Sequence, residues 1–207
     1  MNPLSPFIKS LLIGSLSFLS FTCAAWEEQP IEDGSPVTVW TQAVSDSDFK
    51  AFKGEVIINA PLDRVLKVIR DTKNVPKWYY NSMHAEQLQR ISKDQSLNYS
   101  VTSAPWPVSD RDSVILATVT RHTNGNVTIK MKARPDDYPL QENLIRIPKL
   151  DGSWSLEKLD AQTTKVSLQV TTEPGGSIPS WLANAMVIDM PFYSLSNLKE
   201  RVENKLK

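Results

Sequence analysis

Over most of its length the chain alternates apolar and polar positions, the period-two pattern of strands with one buried face. Val37, Val39 and Thr41 alternate with Thr38 and Trp40, and Phe52, Gly54, Val56 and Ile58 alternate with Ala51, Lys53, Glu55 and Ile57. The polar run 45–48 between them predicts a hairpin. The period then changes. Leu62, Val65, Leu66 and Ile69 recur at helical spacing, with Asp63, Arg64, Lys67 and Arg70 on the opposite face. Asn59 or Ala60 takes the cap and Pro61 the first helical position. A break at 71–74 leads to a second, shorter helical piece from Val75.

Strand patterns follow at 85–91, 97–102, 113–120, 127–131, 144–147, 153–158 and 166–170, with Asn124-Gly125 as a tight hairpin turn. Asn98, Ser100 and Thr102, like Ser167, Gln169 and Thr171, form polar strand faces expected to meet water. After Glu173-Pro174-Gly175-Gly176 the helical period returns. Trp181, Ala185, Ile188, Phe192 and Leu195 fall at four- and three-residue steps, which predicts a long terminal helix from Ser177 or Ile178. Pro191 inside it removes a backbone hydrogen bond and is expected to kink or split it.

Strands with helices gathered to one side make an α+β chain. A single amphipathic helix laid across a long, curved antiparallel sheet buries the apolar face. It leaves a cavity where helix and sheet do not meet, the kind of place small apolar ligands occupy.

The chain has 207 residues, 23 Lys+Arg and 23 Asp+Glu. That length fits one domain with a sizeable core, and the balanced charge gives no basic excess to attract nucleic acid. Residues 1–25 differ from the rest. Lys9 is the only charge, residues 11–21 are apolar or small, and Cys23-Ala24-Ala25 supplies small residues before Trp26. This is the layout of a secretory signal, too short to span a membrane. Cleavage after Ala24 or Ala25 is expected. It would remove Cys23, whose surroundings fit a lipidation site poorly. The expected product is exported, periplasmic or secreted, with a lead-in loop at 26–36 and one domain at 37–207.

Pro105-Trp106-Pro107 fixes two backbone angles and rules out a central strand. It predicts a stiff, extended corner with Trp106 held in one direction, as a core plug before a ligand contact. Arg111 follows in Asp110-Arg111-Asp112, where it either pairs with a carboxylate or offers its planar fork to an anionic group. His84 and His122 stand apart without metal-ligand spacing. No metal and no cofactor are expected.

Several stretches together are similar to a known family. Pro105-Trp106-Pro107-Val108-Ser109-Asp110-Arg111-Asp112, Trp78 after Pro76, Ile145-Arg146 before Trp154, and the run from Glu173 through Trp181-Leu182 resemble, in order, the small START domains. The similarity covers roughly residues 37–205. It implies a helix-grip fold: a curved antiparallel sheet wrapped around the C-terminal helix, with two short helices after the second strand. It also implies a tunnel for one lipid or similar hydrophobic molecule, with the terminal helix and a neighbouring loop as a lid. Glu173 replaces the family's Asp. Ala117 stands where sterol-carrying animal members have a cavity arginine, so that ion pair does not carry over.

The residues expected to meet the ligand are Arg111, Trp106, Met131, Trp154, Trp181, Met186 and Met190. The expected partners are one hydrophobic small molecule and, transiently, a membrane. No nucleic acid is expected, and the chain is expected to be a monomer. The alternatives are a non-enzymatic scaffold on the same fold, or a cyclase/aromatase-type enzyme. The latter would need a positioned acid or base, and the chain offers no Ser/His/Asp or Cys/His set for it.

Overall fold

The computed structural model describes residues 25–32 and 34–204. The expected signal segment therefore lies, but for Ala25, outside the described residues. Ten strands form one sheet: β1 (Glu27–Glu28), β2 (Val37–Gln42), β3 (Ala51–Ile58), β4 (Ser82–Arg90), β5 (Gln95–Thr102), β6 (Arg111–Arg121), β7 (Val127–Ala133), β8 (Ile145–Arg146), β9 (Lys149–Lys158) and β10 (Thr164–Glu173). Their spatial order is β1-β2-β3-β10-β9-β7-β6-β5-β4, antiparallel throughout, with β8 as a short parallel partner to the start of β6. Helix α1 (Leu62–Arg70) and a 3-10 helix (Thr72–Lys77) connect β3 to β4, and α2 (Ser180–Glu203) ends the chain. The two-residue β1 has too little sequence to show a pattern, and it was part of the expected lead-in loop.

Helix α1 begins one residue later than the cap signals suggest. Pro61 is its N-cap, and Leu62, Val65 and Leu66 are buried. Helix α2 runs through Pro191 as one element, so the expected split does not occur. Pro191 is buried where α2 crosses β3. A Cβ on Gly54 of β3 would lie 2.9 Å from Pro191 Cβ and 2.7 Å from Leu195 Cδ1. Glycine at this position lets the helix come down onto the strand.

The buried stripe of α2 runs Ala183, Val187, Pro191, Leu195, Leu198, Val202. It meets the expected stripe at Leu195. Ile188 and Phe192 are only partly buried, and the side chains of Trp181 and Ala185 are not among those described.

The two halves of α2 do different jobs. Leu195, Leu198 and Val202 are fully buried among Val39, Phe52, Val56, Ile58, Val65, Leu156, Val166 and Leu168. Each such aliphatic contributes about 1.5–3 kcal/mol by leaving water. This half is also tied by hydrogen bonds. Tyr80 N donates to Ser194 Oγ at 3.1 Å, Asn197 Nδ2 to Trp78 O at 3.1 Å, and Lys199 Nζ to Ile57 O at 2.8 Å. Among the described residues the first half has fewer polar ties: Asn184 Oδ1 accepts from Lys50 N at 3.0 Å and its Nδ2 donates to Asp48 O at 3.2 Å, and Met190 Sδ accepts from Tyr79 Oη, while Val187 packs into the edge of the core. Beneath this first half the sheet and helix separate.

Gly54→Ala should therefore destabilise the protein by about 1–3 kcal/mol, because a rigid proline ring cannot yield to the added methyl. Urea unfolding of the two proteins measures it. A loss within a few tenths of a kcal/mol would mean that α2 does not rest on β3 here.

Candidate functional site: an internal cavity

A cavity of about 710 Å³ opens between the inner face of the sheet, α1, the 3-10 helix and α2. Leu66 and Ile69 of α1, Ile129 and Met131 of β7, and Trp154 of β9 form an apolar side. Trp78 and Tyr79, just after the 3-10 helix, close it against Met190 of α2. Trp78 packs edge-on to Trp154 at 5.9 Å and to Tyr79 at 5.7 Å, and Tyr79 Oη donates to Met190 Sδ at 3.5 Å. Burial pushes the Tyr79 phenol up to about 12, so it stays a neutral donor.

The opposite side is polar. Ser96, Asn98, Ser100 and Thr102 of β5 line the same cavity, beside Ser113, Ile115 and Ala117 of β6. Sequence alternation had placed the β5 residues toward water, and the structure turns them inward. The reason lies on the other face. Leu97 and Tyr99, with Val114 of β6, form a second apolar cluster joined by Leu88, Val101, Leu116 and Tyr138. Tyr138 belongs to the 134–143 loop, which covers the sheet from outside. Its ring centroid lies 5.0 Å from that of Tyr99. Of the other polar positions, Gln169 is exposed as expected, and Ser167 Oγ donates to Glu55 Oε1 at 3.2 Å.

That covering loop is anchored by an ion pair. Arg146 of β8 donates from Nε and Nη2 to the two oxygens of Asp112, each at 2.8 Å, and both side chains are buried. It also donates to the carbonyls of Pro135, Tyr138 and Pro139. The bond to Asp112 raises the Arg146 pKa, holding it charged.

Asp112 is thereby committed to Arg146, and Arg111 has no carboxylate partner among the described ion pairs. Arg111 is 5% exposed. Its guanidinium donates to Ser109 O and, at 3.3 Å, to Gly175 O, while Nε is buried with no partner in the protein. Burial lowers its pKa, partly opposed by Asp110. The Gly175 carbonyl comes from a turn only glycine suits. Gly175 and Gly176 have φ of +68° and +63°, and a Cβ on Gly175 would lie 2.9 Å from Arg146 O.

Arg111 lines a second cavity of about 110 Å³ under the first half of α2, together with Ala183, Met186 and Val187. Phe52, Thr102, Ile147, Thr172 and Met190 line both cavities, so the small one continues the large one.

Of the residues expected from sequence, Met131, Trp154 and Met190 meet in the large cavity, and Arg111, Met186 and Met190 in the small one. Trp181 lies in α2 with its side chain outside the description. Trp106 is corrected. It is 92% exposed and lines neither cavity, so it is no core plug. The stretch around it is a turn rather than an extended corner: Val108 N donates to Pro105 O at 3.0 Å across a cis Trp106–Pro107 bond. Nothing packs over a ring projected from the tip of such a turn. Trp78, Tyr79 and the β5 residues were missed as lining residues. The apolar run Val114-Ile115-Leu116 was the available signal, because it requires cover on both faces of the sheet.

A bent antiparallel sheet closed by a C-terminal helix over an internal cavity is a helix-grip fold. The sequence pattern of the START domain matches residues 16–204, and the chain belongs to that family. An uncharacterized protein of Pseudomonas aeruginosa is 37% identical over 180 residues, 87% of this chain and 88% of that protein. The crystal structure of a STAR-related lipid transfer protein fragment from Xanthomonas axonopodis superposes with a TM-score of 0.79 at 36% identity, over 86% of this chain and 98% of that one. Human StAR-related lipid transfer protein 5 shares the fold, with a TM-score of 0.77 at 20% identity over 86% of each chain. The START fold and these lipid-transfer relatives support a ligand-binding role.

Arg146→Met should cost about 3–5 kcal/mol in unfolding free energy, because it leaves the buried Asp112 carboxylate uncompensated. Denaturant unfolding checks this. A loss under about 1 kcal/mol, the range of an exposed pair, would mean that the pair does not hold the outer loop.

Proposed function

We propose that the protein is an exported carrier that holds one hydrophobic, lipid-like molecule in the internal cavity, with the first half of α2 as its cover. One observation carries this reading. Among the described residues, the buried side-chain polar atoms without a partner in the protein are Trp78 Nε1, Ser82 Oγ and Arg111 Nε. All three belong to residues that line the two cavities. An unsatisfied buried donor costs about 1–3 kcal/mol, so natural proteins rarely leave them. A bound amphipathic molecule would satisfy these groups and fill the apolar side.

In this reading Arg111 takes an anionic group of the ligand in the small cavity. A buried, unpaired guanidinium is costly, and an incoming carboxylate or phosphate relieves that cost. Met186 and Met190, flexible and polarisable, adapt to the neighbouring chain. Release would lift the first half of α2, breaking the Asn184 and Met190 contacts, while its second half stays in the core. Trp106, exposed at a turn tip, supplies the contact with a membrane surface, where amphipathic rings settle.

The test is native mass spectrometry of protein expressed from the full coding sequence in a bacterium with ordinary membranes, followed by organic extraction. The expected result is a chain shortened by its first 24 or 25 residues, carrying one extractable small molecule. Arg111→Met should lower its occupancy. Trp106→Ala should leave occupancy unchanged but reduce cosedimentation with phospholipid vesicles. A chain that stays empty after incubation with mixed vesicles would contradict the carrier reading and favour a scaffold.

A further inference from the structure

The cavity's polar side continues from end to end. Ser96, Asn98, Ser100 and Thr102 are four successive inward positions of β5, and Thr102 reaches the small cavity where Arg111 lies. At about 3.4 Å per residue this edge is roughly 20 Å long. It is neutral. The charged residues lining the large cavity, Asp63, Lys67, Arg70, Arg90, Asp94 and Arg121, belong to the other end, where α1 meets the β4–β5 and β6–β7 turns. There Arg70 Nη2 donates to Lys93 O at 2.6 Å, and Arg121 pairs with Asp63 at 3.3 Å.

Within the edge, Asn98 Nδ2 donates to Ser96 Oγ at 3.0 Å and to Ser96 O at 3.3 Å, Thr72 Oγ1 to Asn98 Oδ1 at 3.2 Å, and the Ser100 and Ser113 hydroxyls share one bond at 2.8 Å. These bonds orient the groups without exhausting them. A hydroxyl has one donor and two acceptor sites, and Ser100 and Ser113 together use one of each.

A cavity meant only for acyl chains gains nothing from this side. An apolar chain laid along it would strip water from hydroxyls and an amide without replacing the hydrogen bonds. The chain could as easily have put Leu97, Tyr99 and Val101 inward. Instead those residues are covered from outside by the 134–143 loop.

Resting on the carrier reading, we propose that the ligand is polar along one edge: a molecule with neutral hydroxyl, carbonyl or amide groups spaced along its length, set against β5, with its apolar edge against Trp154 and Met131. A headgroup-and-tails lipid, polar at one end only, is the poorer match.

Stearate and 9,10-dihydroxystearate are suitable probes, since they share length and carboxylate and differ only in mid-length hydroxyls. Their affinities would be measured by calorimetry on delipidated protein. The wild type should bind the dihydroxy acid at least about tenfold more tightly, one net hydrogen bond's worth. The Asn98→Leu/Ser100→Ala variant should bring the two within about twofold while still binding stearate. Should that variant not fold, Ser100→Ala alone should narrow the ratio, with its melting temperature as the control. Stearate bound as tightly as the dihydroxy acid by the wild type, or an unchanged ratio in the variants, overturns the inference but leaves the carrier reading standing. A protein that binds neither acid and purifies empty removes both.

Discussion

The structure depends on how one helix covers one sheet. The sheet presents an inner face, apolar but for β5, longer than a single helix can fill. The close crossing of α2 on β3 decides where the contact goes. Gly54 admits Pro191 and Leu195, so the second half of α2 sinks among Val56, Ile58, Leu156 and Leu168. The first half is consequently carried over the remainder of the sheet with space beneath it. Most of the fully buried contacts of α2 thus lie in its second half, and the cavity-lining residues in its first.

The second constraint is the reversal of β5. In most antiparallel sheets the polar face of an amphipathic strand meets water. Here the apolar face is covered from outside by a loop, and the polar face turns into the protein. The Asp112–Arg146 pair makes this possible by gathering the carbonyls of Pro135, Tyr138 and Pro139 around one guanidinium. With Asp112 committed to Arg146, its neighbour Arg111 is buried at the end of the cavity with no ion pair among the described residues, although the Asp110 charge still acts on it. Outer cover, inner polarity and the unpaired cation therefore follow from a single alternation, Arg111 inward and Asp112 outward.

Much of this was legible in the sequence. Period-two alternation located nearly every strand, the change of period located α1 and α2, and the ordered motifs named the family. Met131, Trp154 and Met190 were expected to meet the ligand, and all three line the large cavity. What was not legible depended on which side of the sheet was covered. Alternation assigns residues to two faces without saying which is inside, so Asn98, Ser100 and Thr102 were sent to solvent. Trp106 was read as a plug because large apolar residues are usually buried. Only the tight turn across Pro105 and Val108 shows it facing outward. The stripe of α2 shifted because its register is set by Pro191 over Gly54, a contact between residues 137 positions apart.

The central claim is that the space between α2 and the sheet is a ligand site with one polar edge. A crystal structure of the protein purified from cells without delipidation tests it most directly. The expected result is continuous density for one non-protein molecule between Trp154 and β5, with its polar atoms within hydrogen-bond distance of Asn98 or Ser100. A cavity closed by Trp78, Met131 and Met190 packed against β5, with no room for a molecule, would contradict it.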